Sequence, residues 1–387
     1  MLKVSRIQRF LIALLAPLTA LLLSTPTIST TAQKSKDETR SVSSWTMSDD
    51  GLKRRIEIRG KAEFNDDYTD ILNVSEGGYV RIEEERDGHS RRYEVRHDLG
   101  GSLTRTYYVD GRARALDDSG RAWLAKIVLD TVRQSGIDAD KRVQKILRQG
   151  GVSGVLAEIA LINGDYAKRN YFEALVRNGN LNAAALQSVL AEAARQISSD
   201  YEQAQLLIAV APILTGKEGA LPSYFEATAT IKSDYERARV LTTLLRTSAP
   251  GRELLIRVAS SATSITSDYE KAGVLKQVAA LYLDDPSLRA VFFQAVGSIQ
   301  SDYEHHRVLT AVLKTQKVSD ELLTHLLDSA TRISSDYEKA SFLLEASSAY
   351  TGDARLRSAF LKVVETIKSD YERGRVLSTL LKNKQIG

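Results

Sequence analysis

Residues 233–245 read Ser-Asp-Tyr-Glu-Arg-Ala-Arg-Val-Leu-Thr-Thr-Leu-Leu, and their first four letters organise most of the chain. Ser-Asp-Tyr-Glu recurs with its tyrosine at 201, 235, 269, 303, 337 and 371, a constant step of 34 residues. A degenerate copy, Gly164-Asp165-Tyr166, precedes these by 35, and an isoleucine stands four residues before each of the seven tyrosines. Self-similarity at such a period marks a repeat architecture, in which one small unit is copied and stacked.

Within each copy the tetrapeptide opens an apolar-periodic segment, such as Val240, Leu241, Leu244 and Leu245. A polar stretch follows, and a second segment, such as Leu254, Leu255, Val258 and Ala262, closes at the isoleucine. Two helices of about 13 residues each fit this pattern. Ser-x-x-Glu is a capping box: the serine accepts from an orphan N–H and the glutamate reaches back to the serine N–H. The aspartate then sits at the first helical position, where the helix dipole favours it. On this reading the aspartates are helix-start residues rather than a cation ladder. The six motif tyrosines are expected to be packing residues, with ligand stacking as the alternative, and a small residue follows Glu by two positions in five of six copies.

A finer alternation has twice the period. Arg239-Val-Leu-Thr, Arg307-Val-Leu-Thr and Arg375-Val-Leu-Ser are 68 residues apart, while Tyr224-Phe225, Phe292-Phe293 and Ala359-Phe360 mark the intervening copies. Stacked helix layers about 10 Å apart would set Arg239, Arg307 and Arg375 about 20 Å apart along one line. These three are the candidate partner-binding residues. Their alternative role is an i, i+3 ion pair with Glu236, Glu304 and Glu372.

Ahead of the array, residues 49–116 alternate with period two. Ile56 and Ile58, Val80 and Ile82, Tyr93 and Val95, and Tyr107 and Val109 are separated by Arg and Glu. Asp87-Gly88, Gly100-Gly101 and Asp110-Gly111 punctuate the later runs. The pattern predicts an antiparallel meander of four or five strands with one apolar and one charged face. The charged face is either a surface for a charged ligand or cross-strand ion pairing. Residues 117–151 form a helical connector, with stripes at Trp123 to Val132 and Val143 to Leu147 ending at Gly136 and Gly150-Gly151.

The N-terminus carries Lys3, Arg6 and Arg9 with no acid, then an apolar run from Phe10 to Leu23. This is a secretory signal pattern, with cleavage expected after Ala32. An uncleaved anchor is the alternative, although the run is shorter than the ~20 residues that span a bilayer. Residues 33–48 read as a polar linker. The whole chain of 387 residues has a formal charge of +4, three of which lie in that leader, so the rest is near neutral and offers no basic patch for nucleic acid. There is no cysteine, which excludes disulfides, thiolate metal sites and cysteine nucleophiles. The five histidines lack the i, i+4 spacing of a helical metal site, and no phosphate loop or nucleophile elbow appears. No catalytic, metal or cofactor-binding residue is assigned, and no cofactor is expected.

The expected fold is α+β, predominantly α: a signal peptide at 1–32, a linker at 33–48, a small antiparallel β-sheet domain at 49–116, a helical connector at 117–151 and an α-α solenoid of about six and a half 34-residue repeats at 152–387. The array's period, Gly164-Asp165-Tyr166 and the Lys-Ala pairs at 271–272 and 339–340 resemble the tetratricopeptide repeat. Its small-residue and aromatic signature is absent, so the likeness is one of geometry. Sheet plus Ser-Asp-Tyr-Glu array also resembles the extracytoplasmic C-terminal region of bacterial antirepressor zinc peptidases of the beta-lactam-sensor type, here without the His-Glu-x-x-His motif. That resemblance implies a detached sensing or interaction module in the bacterial periplasm or outside the cell. The functional expectation is a non-enzymatic exported scaffold that binds a protein or peptide through the solenoid, meeting the membrane only transiently through its signal segment. The alternative is an envelope sensor that relays a signal to a membrane partner.

Overall fold

A computed structural model describes residues 29–32, 42–49, 51–247, 250–281, 285–315, 318–350 and 353–382. The chain forms two compact units, one through Asp130 and one from Thr131. The strands are β1 (Ser29–Ala32), β2 (Val42–Asp49), β3 (Leu52–Arg59), β4 (Ala62–Phe64), β5 (Ile71–Val74), β6 (Tyr79–Arg86), β7 (His89–His97), β8 (Leu103–Val109) and β9 (Arg112–Arg114). Seven of them make one antiparallel sheet in the order β1-β2-β3-β6-β7-β8-β9, and β4 and β5 form a separate hairpin inserted between β3 and β6.

The sheet is larger than the alternation predicts, and it draws on the expected linker. In β2, Trp45 pairs with Ile56 and Thr46 with Arg55. Val, Trp and Thr are strand formers, but the serines among them mask the period-two pattern. Residues Ser29–Ala32, placed by the sequence at the end of the leader, pair with β2. The expected hairpins are present: Asp87 and Gly88 have φ of 52° and 83°, and Asp110 and Gly111 have 48° and 75°. Positive φ at both central positions matches the right-handed strand twist.

Ile56, Ile58, Val80, Ile82, Tyr93 and Val95 are buried on the sheet. Helix α1 (Asp118–Ser135) sets Trp123 against Tyr107 with ring centres 5.7 Å apart, and the indole N–H donates to Glu84 at 3.1 Å. Buried Arg54 bonds that same glutamate at 2.6 Å and also Asp130. Elsewhere Arg81 reaches Glu57 at 3.2 Å and Glu94 at 3.0 Å, its direct neighbours across β3 and β7. Cross-strand pairing thus engages Arg54 and Arg81, while Arg55–Glu57 and Arg96–Glu94 pair along a single strand.

In the second unit, α2 (Ala139–Ile159) kinks at Gly151, whose φ of 60° and ψ of −159° leave the helix where the paired glycines predict a stop. It then resumes, and its Val143 and Val155 join the solenoid core, so the second connector helix packs as part of the array's unit. The motif helices are α3 (Asp165–Asn178), α5 (Asp200–Val210), α7 (Asp234–Thr247), α9 (Asp268–Ala279), α11 (Asp302–Thr315), α13 (Asp336–Ala346) and α15 (Asp370–Lys382). Between them lie α4 (Ala183–Gln196), α6 (Leu221–Thr230), α8 (Arg252–Ala262), α10 (Pro286–Val296), α12 (Asp320–Ala330) and α14 (Ala354–Glu365). Each motif helix packs on the next motif helix, and each intervening helix on the next of its own kind, giving two parallel layers. One continuous apolar core runs between them, as a solenoid requires.

The tetrapeptide does more than start a helix. Each motif serine accepts from the glutamate N–H three residues on, at 3.3–3.4 Å for Ser199, Ser233, Ser267, Ser301, Ser335 and Ser369. The returning arm of the capping box is absent, because the serine N–H is taken by the aspartate of the preceding repeat. Asp268 accepts from Gln300 N at 3.0 Å and Ser301 N at 2.7 Å; Asp165, Asp200, Asp234, Asp302 and Asp336 do the same one repeat further along. At the head of the array Gln134 plays this part, accepting from Asn163 N at 2.9 Å. Motif glutamates turn instead to side chains on the array, as in the Arg169–Glu202 ion pair at 2.5 Å and the contact of Glu338 with His306 Nδ1 at 2.6 Å.

A second regularity was not read from the sequence. The residue after the motif glutamate is, at Lys271 and Arg237, a buried cation that donates to a carbonyl where the intervening helix ends, to Ser298 O at 3.1 Å and Ser264 O at 2.9 Å, and half-buried Lys168 does the same to Gln196 O at 2.7 Å from the matching place in α3. A positive charge there satisfies orphan carbonyls and the helix dipole. Gln203 occupies this place in α5, 2% exposed, with neither amide atom bonded.

These contacts rank the motif positions. Asp268→Ala strands two loop N–H groups and should cost about 1–3 kcal/mol in urea unfolding, Ser267→Ala about 1 kcal/mol, and Glu270→Gln less than about 0.5 kcal/mol. Equal losses at Asp268 and Glu270 would restore the full capping box. Gln203→Lys should raise stability by about 1 kcal/mol, the ammonium replacing an unpartnered amide; a lower melting temperature would show that the site cannot house a cation.

Candidate functional site

The motif tyrosines are not packing residues. Tyr166, Tyr201, Tyr235, Tyr269, Tyr303, Tyr337 and Tyr371 are 43% to 74% exposed, the opposite of the expectation. The reason is angular. With serine at the cap and aspartate turned to the next repeat's loop, the glutamate and the cation that follow point into the stack, and the tyrosine between points out. Positions four and seven beyond each tyrosine share its face, so Arg239 and Thr242 lie beside Tyr235 on α7. The outcome is a row of phenol rings along the motif-helix layer, one per repeat.

Arg239, Arg307 and Arg375 stand on this same layer, their side chains about one-third exposed. Each makes the i, i+3 pair: Arg239–Glu236 at 2.5 Å, Arg307–Glu304 at 2.8 Å, and Arg375 with Glu372. The glutamates lie buried beneath, so the guanidinium groups are drawn down against the rings. Arg239 sits 5.7 Å from the Tyr235 ring centre, Arg375 5.9 Å from Tyr337, and Arg307 between Tyr303 at 5.4 Å and Tyr269 at 6.0 Å. These are cation–π distances. Arg169 does the same at Tyr166, 5.2 Å away.

The structure brings two of the three arginines together. Arg239 and Arg307 flank one pocket of about 190 Å³ over α9, shared with Thr242, Tyr269, Lys276 and Gln277. They are therefore two walls of one site, more than the separate stations their 68-residue spacing suggests. Sequence reasoning missed Lys276. Burial and then the charge of Arg307 hold its ammonium below the usual lysine range. Its signal was legible only in part, as a polar residue seven beyond Tyr269 on the tyrosine face.

The aspartates, by contrast, are spent on backbone N–H groups. Against the opposing effect of burial, the Thr266 hydroxyl and then the loop N–H groups hold Asp234 below the usual carboxylate range, and the Ser369 N–H does the same for Asp336. Among the described residues no three His, Asp or Glu side chains converge to hold a metal ion. A second cavity, of about 340 Å³, lies among Leu214, Leu221, Pro222, Leu244 and Leu254, with the Arg257–Glu253 pair at 2.8 Å on its rim. No helix among the described residues is long and apolar enough to cross a membrane. The apolar run from Phe10 to Leu23 lies outside the described residues.

No family model matches the chain. No curated protein matches it either. Among solved structures, a chain from "Computational Design of Self-Assembling Cyclic Protein Homooligomers" is similar at 14% identity, over 66% of this chain and 92% of that one, with a TM-score of 0.12. At that score the superposition carries no argument, and the architecture rests on the helix packing above.

One titratable group interrupts the cation series. His305 takes the place of Lys271 and Lys339 in α11, is 2% exposed, and has Nε2 2.9 Å from Ser329 Oγ. Burial pushes its pKa down to about 4, with Arg332 acting in the same direction and Asp302 and Asp268 against it. A histidine neutral in the fold and protonated when unfolded contributes stability that is full above pH 6.5 and drains away as pH falls toward 4. The melting temperature should therefore decline between pH 6.5 and 4.5, before most carboxylates titrate, by an amount approaching 3 kcal/mol at full protonation. His305→Lys should flatten that decline; an unchanged pH profile in the variant would acquit His305.

Proposed function

We propose that this chain is an exported, non-enzymatic repeat scaffold that binds a polypeptide partner along its motif-helix layer. The observation that carries this reading is the row of exposed tyrosines, one per repeat, with Arg239, Arg307 and Arg375 laid against it. The rings lie outside the buried core, and Tyr and Arg are among the side chains that dominate binding hot spots. The aspartates are committed to the scaffold, which leaves the face aromatic and cationic where an acid–base catalyst would need carboxylates or histidines in contrasting environments. The basic and apolar leader supports export, and with it a periplasmic or secreted location.

A second reading draws on the resemblance to the extracytoplasmic region of antirepressor peptidases. There the β unit followed by the array would act as an envelope sensor that passes a signal to a membrane partner. The order of the two units supports it; the tyrosine row favours the scaffold.

The test is capture from an envelope extract of the source organism, with quantitative mass spectrometry, using the wild type and the combined Arg239→Glu, Arg307→Glu and Arg375→Glu variant. We expect specific partners to fall by about tenfold or more in the variant while helical circular dichroism is unchanged. Undiminished capture would move the binding surface elsewhere.

A further inference from the structure

If the tyrosine face binds a polypeptide, as proposed above, its spacing decides which backbone conformation fits. The Arg307 guanidinium is 6.0 Å from the Tyr269 ring centre and 5.4 Å from that of Tyr303, so the two rings are no more than about 11 Å apart. This agrees with the 8–10 Å between packed helices. A polyproline II strand rises about 3.1 Å per residue with three residues per turn, so one turn covers about 9 Å and every third residue returns to the same face. A β-strand also covers the gap in three residues, but its strict alternation throws residues i and i+3 to opposite sides.

An α-helix could present every seventh residue at about this spacing. Its backbone groups, however, are bonded internally. The pocket beside Tyr269 presents the donors Lys276 and Gln277, which a helical backbone would leave without an acceptor. A polyproline II backbone makes no internal hydrogen bonds and offers its carbonyls to such donors.

Charge selects further. The pocket over α9 is lined by Arg239, Lys276 and Arg307 against the single carboxylate of Glu270. The two arginines are paired to glutamates beneath them, whereas Lys276 has no ion pair among the described residues and sits beside Arg307, whose charge disfavours its own. A ligand carboxylate there would relieve that strain on the lysine. We propose that the motif-helix face is a docking groove for a proline-rich, acidic segment of a partner in polyproline II conformation, one turn per repeat, with a carboxylate seated at Lys276.

Titration calorimetry on the full chain tests this with two synthetic peptides of equal charge and length, roughly 18 residues each: repeated Pro-Pro-Glu and repeated Gly-Ser-Glu. We expect the proline peptide to bind about tenfold more tightly or better, since it is preorganised for the ring spacing. Lys276→Gln should weaken Pro-Pro-Glu and leave Pro-Pro-Gln unaffected. Gly273 lies on the pocket floor, and a Cβ placed there meets nothing within 4 Å. Gly273→Leu should therefore fill the pocket and abolish the preference without lowering the melting temperature. Equal affinity for the two peptides, no binding of Pro-Pro-Glu, or tighter binding of an oligogalacturonate than of either peptide would overturn the proposal. If the peptides bind equally while the triple arginine variant still loses its partners from envelope extract, the polypeptide reading of the face stands and only the polyproline II assignment falls.

Discussion

The aspartate that opens each motif helix but the last holds the array together. Its carboxylate accepts two N–H groups at the entrance of the next repeat, as Asp302 does from Ser334 and Ser335 at 2.9 and 2.7 Å. Those N–H groups belong to a helix start, where no intrahelical acceptor exists. A charged acceptor from the neighbouring layer is stronger than a neutral one, and it ties the start of one helix to the start of the one before. Register between repeats is therefore set at every step by an ionic hydrogen bond, and apolar packing need supply only bulk. Without disulfides, that is what keeps seven motif helices in phase.

Once the aspartate faces the next loop, the helical period dictates the rest. The glutamate and the buried cation turn inward, the cation to a carbonyl at the end of the intervening helix. The tyrosine has one direction left, outward. Its exposure is thus a consequence of the interlock, repeated wherever the interlock is repeated. A surface of evenly spaced rings follows from bonds made on the other side of the helix start.

This explains what could be read in advance. The 34-residue period, the two helices per repeat, the Asp-Gly hairpins and the break at Gly151 all depend on local pattern or on residues with special backbone preferences, and each was legible. The aspartate's partner lies 32 or 33 residues away and is a backbone N–H, which has no letter in the sequence. The tyrosine's direction depends on that partner, so a fixed-phase aromatic was read as packing. Strand β2 escaped for a different reason. Its serines are neutral to the pairing of Trp45 with Ile56 but resemble a linker by composition. Arg239, Arg307 and Arg375 were legible as an alternating feature, and their i, i+3 partners with them, but the convergence of two of them with Lys276 needed the layer spacing.

The repeats are alike in the aspartate and unlike in the buried cation, and the difference has consequences along the array. In a linear stack, stability is a sum of units and of the interfaces between neighbours. Lysine or arginine closes that interface at α7, α9 and α13, whereas Gln203 leaves it unbonded at α5 and His305 closes it at α11 only with a neutral imidazole. Local opening begins where such interfaces are weakest. The pocket formed by Arg239, Lys276 and Arg307 lies over α9, between the two exceptions, and Asp234 there adds a bond to the Thr266 hydroxyl beyond the usual pair. The pocket therefore rests on α7 and α9, whose interfaces are closed by Arg237 and Lys271, while its Arg307 wall is carried by α11, where His305 takes the cation's place.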